Sequence, residues 1–134
     1  MNISLSKNPD SKQLDELWKA VGWNRRGKNK WKKILTKSSY VCSAWENNKL
    51  IGFGRILEDG IMCMFYDIGI HPDYQKKGVG TKIMKALIGK VKDKKYTSIG
   101  LFAWEKNPGN MIFYEKLGFR KTHTGMELFK YMGD

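Results

Sequence analysis

A short loop with two glycines holds the residues of this sequence that are best suited to chemistry. Glycines allow backbone N–H groups to face one point, and the start of a following helix adds unpaired N–H groups and a positive dipole end. Two lysines add charge at the same place. The pattern predicts a cradle for phosphate or pyrophosphate, formed by Gln75, Lys76, Lys77, Gly78, Val79, Gly80 and Thr81. An ordinary turn with two solvated lysines is the alternative, because short Gly-x-Gly patterns are common.

The elements on either side of the loop have the clearest patterns in the sequence. A β-rich apolar run over Met62–Ile70 predicts a strand that ends at His71-Pro72. Apolar residues at helical spacing predict a long amphipathic helix over residues 81–92. The loop is therefore expected between the end of a strand and the start of a helix.

The rest of the chain supplies further helices and strands. Asp10 and Gln13 form a capping-box pattern and Gly22 is a stop signal, so a first helix is expected between them. In chain order, the patterns predict a strand at 3–5, helices at 11–21 and 30–37, strands at 40–45, 50–57 and 98–103, a short helix at 111–117, and strands at 119–122 and 126–131. Short turns between consecutive strands predict an antiparallel meander, and the strand after the long helix predicts a parallel pair.

Length and composition exclude several classes of protein. The chain has 134 residues, enough for one domain, and 41% of them are hydrophobic. No apolar run approaches the roughly 20 residues of a spanning helix, and the N-terminus lacks the regions of a signal peptide, so a cytoplasmic protein is expected. Cys42 and Cys63 are expected to be reduced and buried, and two distant histidines beside them do not suggest a metal site.

Two motifs of the sequence resemble the signatures of the GNAT superfamily of N-acetyltransferases. The Gln/Arg-x-x-Gly-x-Gly/Ala loop of that family is matched by Gln75–Gly80, and its lead-in is similar to His71–Tyr74. Downstream, Asn107 and the stretch Phe113–Phe119 resemble its second signature. The motifs stand in the family's order, and the resemblance is strongest over Lys49–Phe119.

This resemblance implies a fold and an activity. The expected fold is α/β, with a mixed, mostly antiparallel sheet flanked by helices, in a single domain over residues 1–134. The strands over Met62–Ile70 and Ser98–Ala103 would splay apart and leave an opening for the pantetheine arm of coenzyme A. The implied activity is direct transfer of an acetyl group from acetyl-CoA to a primary amine through a tetrahedral intermediate, without a metal.

The resemblance also assigns roles to single residues. The backbone of Ile68, Gly69 and Ile70 would pair with the pantetheine amides, and the Ile70 N–H would stabilise the oxyanion. In its own right, a glycine inside a strand such as Gly69 indicates either a close approach by a ligand or a packing gap. Tyr114 is expected to be the general acid that protonates the leaving thiolate, or else to pack with neighbouring phenylalanines.

The general base has two candidates. Asp67 lies on the strand before the loop, but Arg55 could pair with it, and Asp67 would then hold an ion pair or contact the acceptor. Glu105 is the rival. Asn107 is expected to contact coenzyme A, with a helix cap as the alternative.

The resemblance also implies that the acceptor amine lies near the segment that joins the first two helices. Trp23, Arg25 and Arg26 are candidates for acceptor contact, with a packed tryptophan and solvated arginines as the alternative, and Arg55 is a further candidate. The resemblance implies a small-molecule amine or a protein lysine as the acceptor. An unpaired terminal strand over residues 126–132 would allow a homodimer.

The formal net charge of +12 favours anionic ligands. Coenzyme A is one such ligand, and nucleic acid is another. The lysines are spread along the chain instead of being concentrated in one arm, which is typical of solvated faces. We therefore expect neither nucleic acid nor a membrane as a partner. The alternative to an enzyme is a basic binding module for nucleic acid or protein that keeps the fold without catalysis.

Overall fold

A five-stranded open sheet frames the larger part of the protein. The computed structural model describes residues 1–103, 108–122 and 125–133, and the chain divides into two units, Met1–Leu101 and Phe102–Asp134. The strands of the first unit are β1 (Asn2–Ser4), β2 (Tyr40–Glu46), β3 (Lys49–Glu58), β4 (Met62–Ile70) and β5 (Ser98–Leu101). They lie in the order β1-β2-β3-β4-β5, and neighbours are antiparallel except that β5 runs parallel to β4. This is the mixed, mostly antiparallel α/β fold that the sequence predicts.

Helices occupy the connections between these strands. The first unit contains α1 (Ser11–Val21), α2 (Gly27–Lys37), a 3₁₀ turn at Pro72–Tyr74 and α3 (Val79–Val91). The second unit contains α4 (Pro108–Lys116) and a 3₁₀ turn at Phe129–Tyr131. The loop singled out in the sequence therefore lies between β4 and α3.

Helix α1 begins and ends where its capping residues stand in the sequence. The Gln13 N–H donates to the Asp10 carboxylate at 2.8 Å, and the Gln13 side-chain oxygen accepts from the Asp10 N–H at 3.0 Å. Gly22 ends the helix at φ = 98°, a left-handed conformation that glycine adopts without steric strain. The inner face of the helix buries Leu17 and Trp18. The predicted capping box is confirmed.

An aromatic cluster packs α1 and α2 against β3. Trp18, Trp31 and Phe53 are buried and meet edge to face, with ring centroids 4.9 to 5.9 Å apart. Such pairs contribute roughly 0.5–1.5 kcal/mol each beyond the burial of their area. The cluster therefore fixes both helices on the face of the sheet to which Phe53 points.

Helix α3 lies on the opposite face of the sheet, close to β3, because two residues of that strand are glycines. A Cβ at Gly52 would lie 2.7 Å from the Ile83 Cδ1 atom, and a Cβ at Gly54 would lie 3.1 Å from the Ile83 Cγ2 atom. Phe53 stands between the two glycines and faces the other way, as alternation along a strand requires. The helix whose N-terminus follows the glycine loop is thus held directly against the sheet.

The parallel pairing of β4 with β5 covers only part of β4. The register runs from Met62 opposite Ser98 to Phe65 opposite Leu101, where β5 ends. β4 continues to Ile70 and stays paired with β3 on its other side. The pairing therefore ends partway along β4, as expected for two strands that open away from each other.

Two helices begin earlier than the sequence pattern predicts. α2 begins at Gly27 instead of residue 30, because the Asp15 carboxylate accepts a hydrogen bond from the Gly27 N–H at 3.2 Å and so satisfies that end of the helix. α3 begins at Val79 instead of residue 81, because Gly78 adopts the left-handed conformation and forms the N-cap. Both starts depend on backbone geometry that apolar spacing does not reveal.

The strands predicted at residues 119–122 and 126–131 do not form. The described residues in these ranges are irregular apart from the 3₁₀ turn at Phe129–Tyr131, and residues 123–124 lie outside the described part of the chain. A strand needs a hydrogen-bonded neighbour and a buried face, yet Met126, Leu128 and Phe129 are 94%, 78% and 81% exposed. The prediction of these strands is wrong, and the homodimer expected through such a strand stays a prediction.

Three further observations concern the expectations that were drawn from composition. Cys42 and Cys63 are free and buried, as predicted. Across the described residues, no group of three or more His, Cys, Asp or Glu side chains could hold a metal ion. In the same residues, no helix is both long and apolar enough to cross a membrane. The cytoplasmic location stays a prediction.

Candidate active site

The loop after β4 folds back onto the end of that strand. The His71 Nδ1 atom accepts a hydrogen bond from the Asp73 N–H at 3.1 Å, and the Gln75 side-chain amide donates to the Ile70 carbonyl at 3.2 Å. Lys76 adopts φ = 61°, in the left-handed region that residues with a side chain seldom occupy. These contacts turn the chain from the end of the strand towards the start of α3.

The N-terminus of α3 presents backbone N–H groups beside open space. Its N-cap, Gly78, has φ = 86° and supplies no side chain to bond the first turn. The Lys82 N–H donates to the Gly78 carbonyl at 3.1 Å, so the N–H groups of Val79, Gly80 and Thr81 precede that bond. Within the described residues, nothing lies within 4 Å of the position that a Cβ on Gly78 would take. This arrangement can receive an anion, because unpaired N–H groups and the positive helix end face it.

Positive charge accompanies these N–H groups. Lys76 and Lys77 are exposed, and the Lys77 Nζ atom lies 5.7 Å from the centroid of the Tyr74 ring, within cation–π range. The Lys49 Nζ atom, from β3, lies 5.8 Å from the centroid of the same ring. The loop predicted from the sequence therefore carries positive charge on its lysine side chains, and the N–H groups at the helix start add partial positive charge.

The second half of β4 directs part of its backbone away from β3. The His71 N–H donates to the Ile51 carbonyl of β3 at 2.8 Å, and Gly69 is paired with Phe53. Hydrogen-bonded and non-hydrogen-bonded pairs alternate along an antiparallel ladder, so the Ile70 N–H points away from β3. It points to the side on which the β5 pairing has already ended.

Gly69 makes room for two tryptophan rings. A Cβ at this position would lie 3.0 Å from the Trp23 ring and 3.3 Å from the Trp18 ring. The two rings themselves meet edge to face with centroids 5.0 Å apart. Packing thus accounts for the missing side chain of Gly69, whereas the predicted role of its backbone stays a prediction.

A β-bulge interrupts β4 at Asp67. The register pairs Phe53 with Gly69 but Arg55 with Tyr66, so β4 carries one extra residue at this point. Asp67 occupies the bulge with φ = 58°, a left-handed conformation. The bulge turns the Asp67 carboxylate to the face of the sheet that carries α1 and α2.

The Asp67 carboxylate is held by two guanidinium groups. Arg26 donates from Nη1 and Nη2 to the two carboxylate oxygens at 2.9 Å each, and Arg55 donates from Nε at 2.6 Å. Burial alone would raise the pKa of Asp67, but the hydrogen bonds and charges of Arg26 and Arg55 together lower it below the ordinary value. A carboxylate held in this way is a poor proton acceptor, which argues against Asp67 as the general base and for the ion pair that the sequence left open.

Some of the residues predicted to contact the acceptor are exposed, whereas others are bound by Asp67. Trp23 is 43% exposed at the end of α1, and the neighbouring Arg25 is exposed as well. Arg55 has a side chain only 15% exposed and is engaged by Asp67, so its contact with an acceptor has no support here. Arg26 is likewise engaged instead of solvated.

Tyr114 lies in the second unit, on α4. Its ring meets those of Phe113 and Phe119 edge to face, with centroids 5.1 and 5.9 Å away. Burial raises the pKa of the Tyr114 phenol above its ordinary value. The structure therefore contains the predicted aromatic packing, and the predicted acid role stays a prediction. Asn107 and Glu105 lie outside the described residues.

Comparison with known proteins agrees with the geometry of the strand, loop and helix. Residues 8–119 match the acetyltransferase (GNAT) family. The uncharacterized N-acetyltransferase ycf52 of Pyropia yezoensis is 35% identical over 130 residues, covering 93% of this chain and 73% of that protein. The chloroplastic serotonin N-acetyltransferase 2 of Oryza sativa subsp. japonica is 27% identical over 111 residues, covering 79% and 54%.

Solved structures contain the same fold. A protein from meticillin-resistant Staphylococcus aureus superposes with a TM-score of 0.84 at 22% identity, covering 95% of this chain and 97% of that one. This likeness concerns the fold, and the family match and the ycf52 relative concern the activity. The chain belongs to the GNAT family and is an N-acetyltransferase.

Proposed function

We propose that this enzyme takes its acetyl group from acetyl-CoA and passes it directly to a primary amine through a tetrahedral intermediate. The observation that carries the proposal is the start of α3, whose N-cap Gly78 supplies no side-chain cap and has nothing within 4 Å of the position of its missing Cβ among the described residues. A pyrophosphate is an anion that such a backbone cradle suits. The cradle would comprise the backbone of residues 75–81, with Lys76 and Lys77 adding charge.

The pantetheine arm would lie along β4 beyond the end of its pairing with β5. On this proposal its amides bond to the backbone of Ile68 and Ile70, on either side of Gly69, because Gly69 itself is paired with Phe53 of β3. The Ile70 N–H, which points away from β3, would also stabilise the oxyanion of the tetrahedral intermediate. The Gln75 side chain bonds the Ile70 carbonyl and so holds the Ile70–His71 peptide, next to the Gly69–Ile70 peptide that carries this N–H.

Proton transfer would involve Tyr114 and water. A phenol whose pKa is raised by burial stays protonated at neutral pH, so Tyr114 would be able to protonate the thiolate of coenzyme A as it leaves. Asp67, engaged by two arginines, would hold structure and not accept the proton. The amine would lose its proton to water, or to Glu105, which was the rival candidate in the sequence.

The acceptor would approach from the α1–α2 side of the sheet. Trp23 and Arg25 are exposed there, and Trp23 lies over Gly69 of β4. The acceptor class is a small-molecule amine or a protein lysine. We also propose that the two units form one acetyltransferase domain, because the family match to residues 8–119 crosses the boundary at Leu101 and Phe102.

Calorimetric titration of acetyl-CoA, with adenosine diphosphate as a control, tests the cofactor. Gly78→Glu would place a carboxylate in the cradle, and acetyl-CoA affinity should fall by about 10-fold or more, as one lost charge-assisted contact implies. Gly22→Glu is the matched control, because Gly22 also has a positive φ and open space around its missing Cβ. Equal affinity in both variants, with the fold retained in circular dichroism, would contradict the cradle.

Tyr114→Phe tests the acid. Turnover with an amine identified from a library should fall by about 10²-fold, while acetyl-CoA affinity should stay unchanged. Unchanged turnover would mean that another group, or water, protonates the thiolate.

A further inference from the structure

Arg26 joins the segment between α1 and α2 to the middle of the sheet. Both terminal nitrogens of its guanidinium bond the Asp67 carboxylate, across a sequence separation of 41 residues. The two parallel bonds form a fork that fixes orientation as well as distance. Side-chain exposures of 30% for Arg26 and 14% for Asp67 limit competition from water.

The main chain of Arg26 is held as firmly as its side chain. Its N–H donates to the Asp15 carboxylate of α1 at 2.8 Å, and the same carboxylate accepts from the Trp31 indole N–H at 2.7 Å. The guanidinium carbon lies 5.4 and 5.1 Å from the ring centroids of Trp18 and Trp31. Arg26 is thus bound to α1, to α2 and to β4 at the same time.

Asp67 makes this bond from an unfavourable backbone conformation. Its φ of 58° is one that a residue with a Cβ seldom adopts, although aspartate tolerates it better than most. Such outliers persist where the surrounding contacts maintain them, and they concentrate at functional sites. Arg55 supplies the second contact, so the carboxylate is held from two directions.

The segment held in this way carries the exposed tryptophan of the acceptor face. Trp23 stands three positions before Arg26, and its ring rests against Trp18 and over Gly69 of β4. Without the Arg26–Asp67 bond, residues 23–26 would keep the hydrogen bonds of Trp23 and Arg26 to α1 and the packing of the Trp23 ring, but would lose the ion pair that joins Arg26 to β4. The bond therefore adds to the packing of Trp23 over Gly69 in holding the exposed ring against the strand along which we place the acetyl group.

We propose that Arg26 and Asp67 form a latch that positions the α1–α2 segment for the acceptor amine. Both are positioning residues, since neither is assigned contact with a reacting atom. Only the link to the acceptor amine rests on the proposed function, because the latch itself concerns how firmly residues 23–26 are held in place. Arg26→Lys removes the fork but keeps the charge, and Asp67→Asn keeps the size and the tolerance of a positive φ while removing the charge.

Hydrogen exchange measures the latch without any ligand. In Arg26→Lys and in Asp67→Asn, the amides of residues 23–27 should exchange at least 10-fold faster than in the wild type. Lys32→Gln, on the exposed side of α2, is the matched control and should leave these rates unchanged. The double variant Arg26→Lys/Asp67→Asn should exchange no faster than Asp67→Asn alone, because both changes remove the same bond. Unchanged rates in both single variants would overturn the latch.

Kinetics tests the positioning role. We would assay tryptamine, spermidine and a lysine-containing peptide as acceptors, and use the best of them. In both single variants the KM for that amine should rise at least 10-fold, with kcat changed less than 3-fold and acetyl-CoA affinity unchanged in calorimetry. Faster exchange with an unchanged amine KM would overturn the positioning role. Absence of acetyl-CoA binding in the wild type would instead refute the proposed function, and the exchange rates would still decide whether the latch exists.

Discussion

The close packing of α3 on β3 predicts that Gly54→Ala destabilises the protein. A Cβ at Gly54 would lie 2.7 Å from the Ile68 Cδ1 atom, 3.1 Å from the Ile83 Cγ2 atom and 3.2 Å from the Leu87 Cδ1 atom. The first distance is shorter than carbon atoms tolerate, and the other two are tight. Side chains from β4 and from two turns of α3 would have to move together to admit one methyl group.

The size of this effect is the difference of two terms. Overpacking of a filled core by one methyl group destabilises by about 1–3 kcal/mol. Replacing glycine restricts the unfolded chain and returns roughly 0.4–1 kcal/mol. With about 2 kcal/mol for the first term and about 0.7 kcal/mol for the second, the middles of these ranges, Gly54→Ala should lower the free energy of unfolding by about 1.3 kcal/mol. At this chain length each kcal/mol lowers Tm by about 3–5 °C.

Urea unfolding followed by tryptophan fluorescence and circular dichroism would measure the change, with an unchanged m-value as evidence that the surface exposed on unfolding is the same in both proteins. Gly89→Ala is the matched control. Gly89 lies within α3 but is exposed, with nothing within 4 Å of its missing Cβ among the described residues, so alanine there should stabilise by about 0.5–1 kcal/mol. A Gly54→Ala protein as stable as the wild type would refute the account of how α3 is held.

Three further predictions concern charge, a thiol and a helix cap. The folded-state pKa of Asp67 is lowered, so the ion pair stabilises the fold above about pH 3.9, and this contribution is lost as pH falls through the folded-state pKa. Urea midpoints measured between pH 7 and pH 3 should therefore depend less steeply on pH in Asp67→Asn than in the wild type. Burial raises the pKa of Cys42 to about 12, so at pH 8 a thiol reagent should modify it only after unfolding, and fast modification of the folded protein would contradict this burial. Asp10→Ala removes the N-cap of α1 and should lower the free energy of unfolding by about 1 kcal/mol, whereas an unchanged urea midpoint would mean that Gln13 or water replaces it.

Local patterns predicted the elements that carry their own signals. The bounds of β4, Met62–Ile70, were predicted residue for residue, since an apolar run ends there at a proline. The caps of α1 were predicted because Asp10 and Gln13 act within one helical turn. The loop before α3 was recognised for the same reason, because its glycines lie next to the helix that they start.

Features that depend on distant partners could not be predicted. Simple alternation would place the side chains of Phe65, Asp67 and Gly69 on one face of β4, but the bulge moves Asp67 and Gly69 to the face that carries α1 and α2. Aspartate tolerates a positive φ, yet nothing nearby in the sequence marks the position as a bulge. The prediction of C-terminal strands failed for a related reason, because β-rich composition over residues 126–131 does not supply a neighbouring strand.

The two parts of the proposed active site therefore differ in how far a short sequence motif can predict them. A cradle made of backbone N–H groups needs only glycines and a helix start, so a short motif is enough to indicate an anionic cofactor. The acceptor face depends on side chains whose arrangement requires a bulge and a bond spanning 41 residues. Acceptor choice should accordingly follow residues 22–26, and exchanging that segment for the equivalent one of another acetyltransferase should change which amine is acetylated while leaving acetyl-CoA affinity unchanged. A segment exchange that altered acetyl-CoA affinity and not acceptor choice would contradict this division of the site.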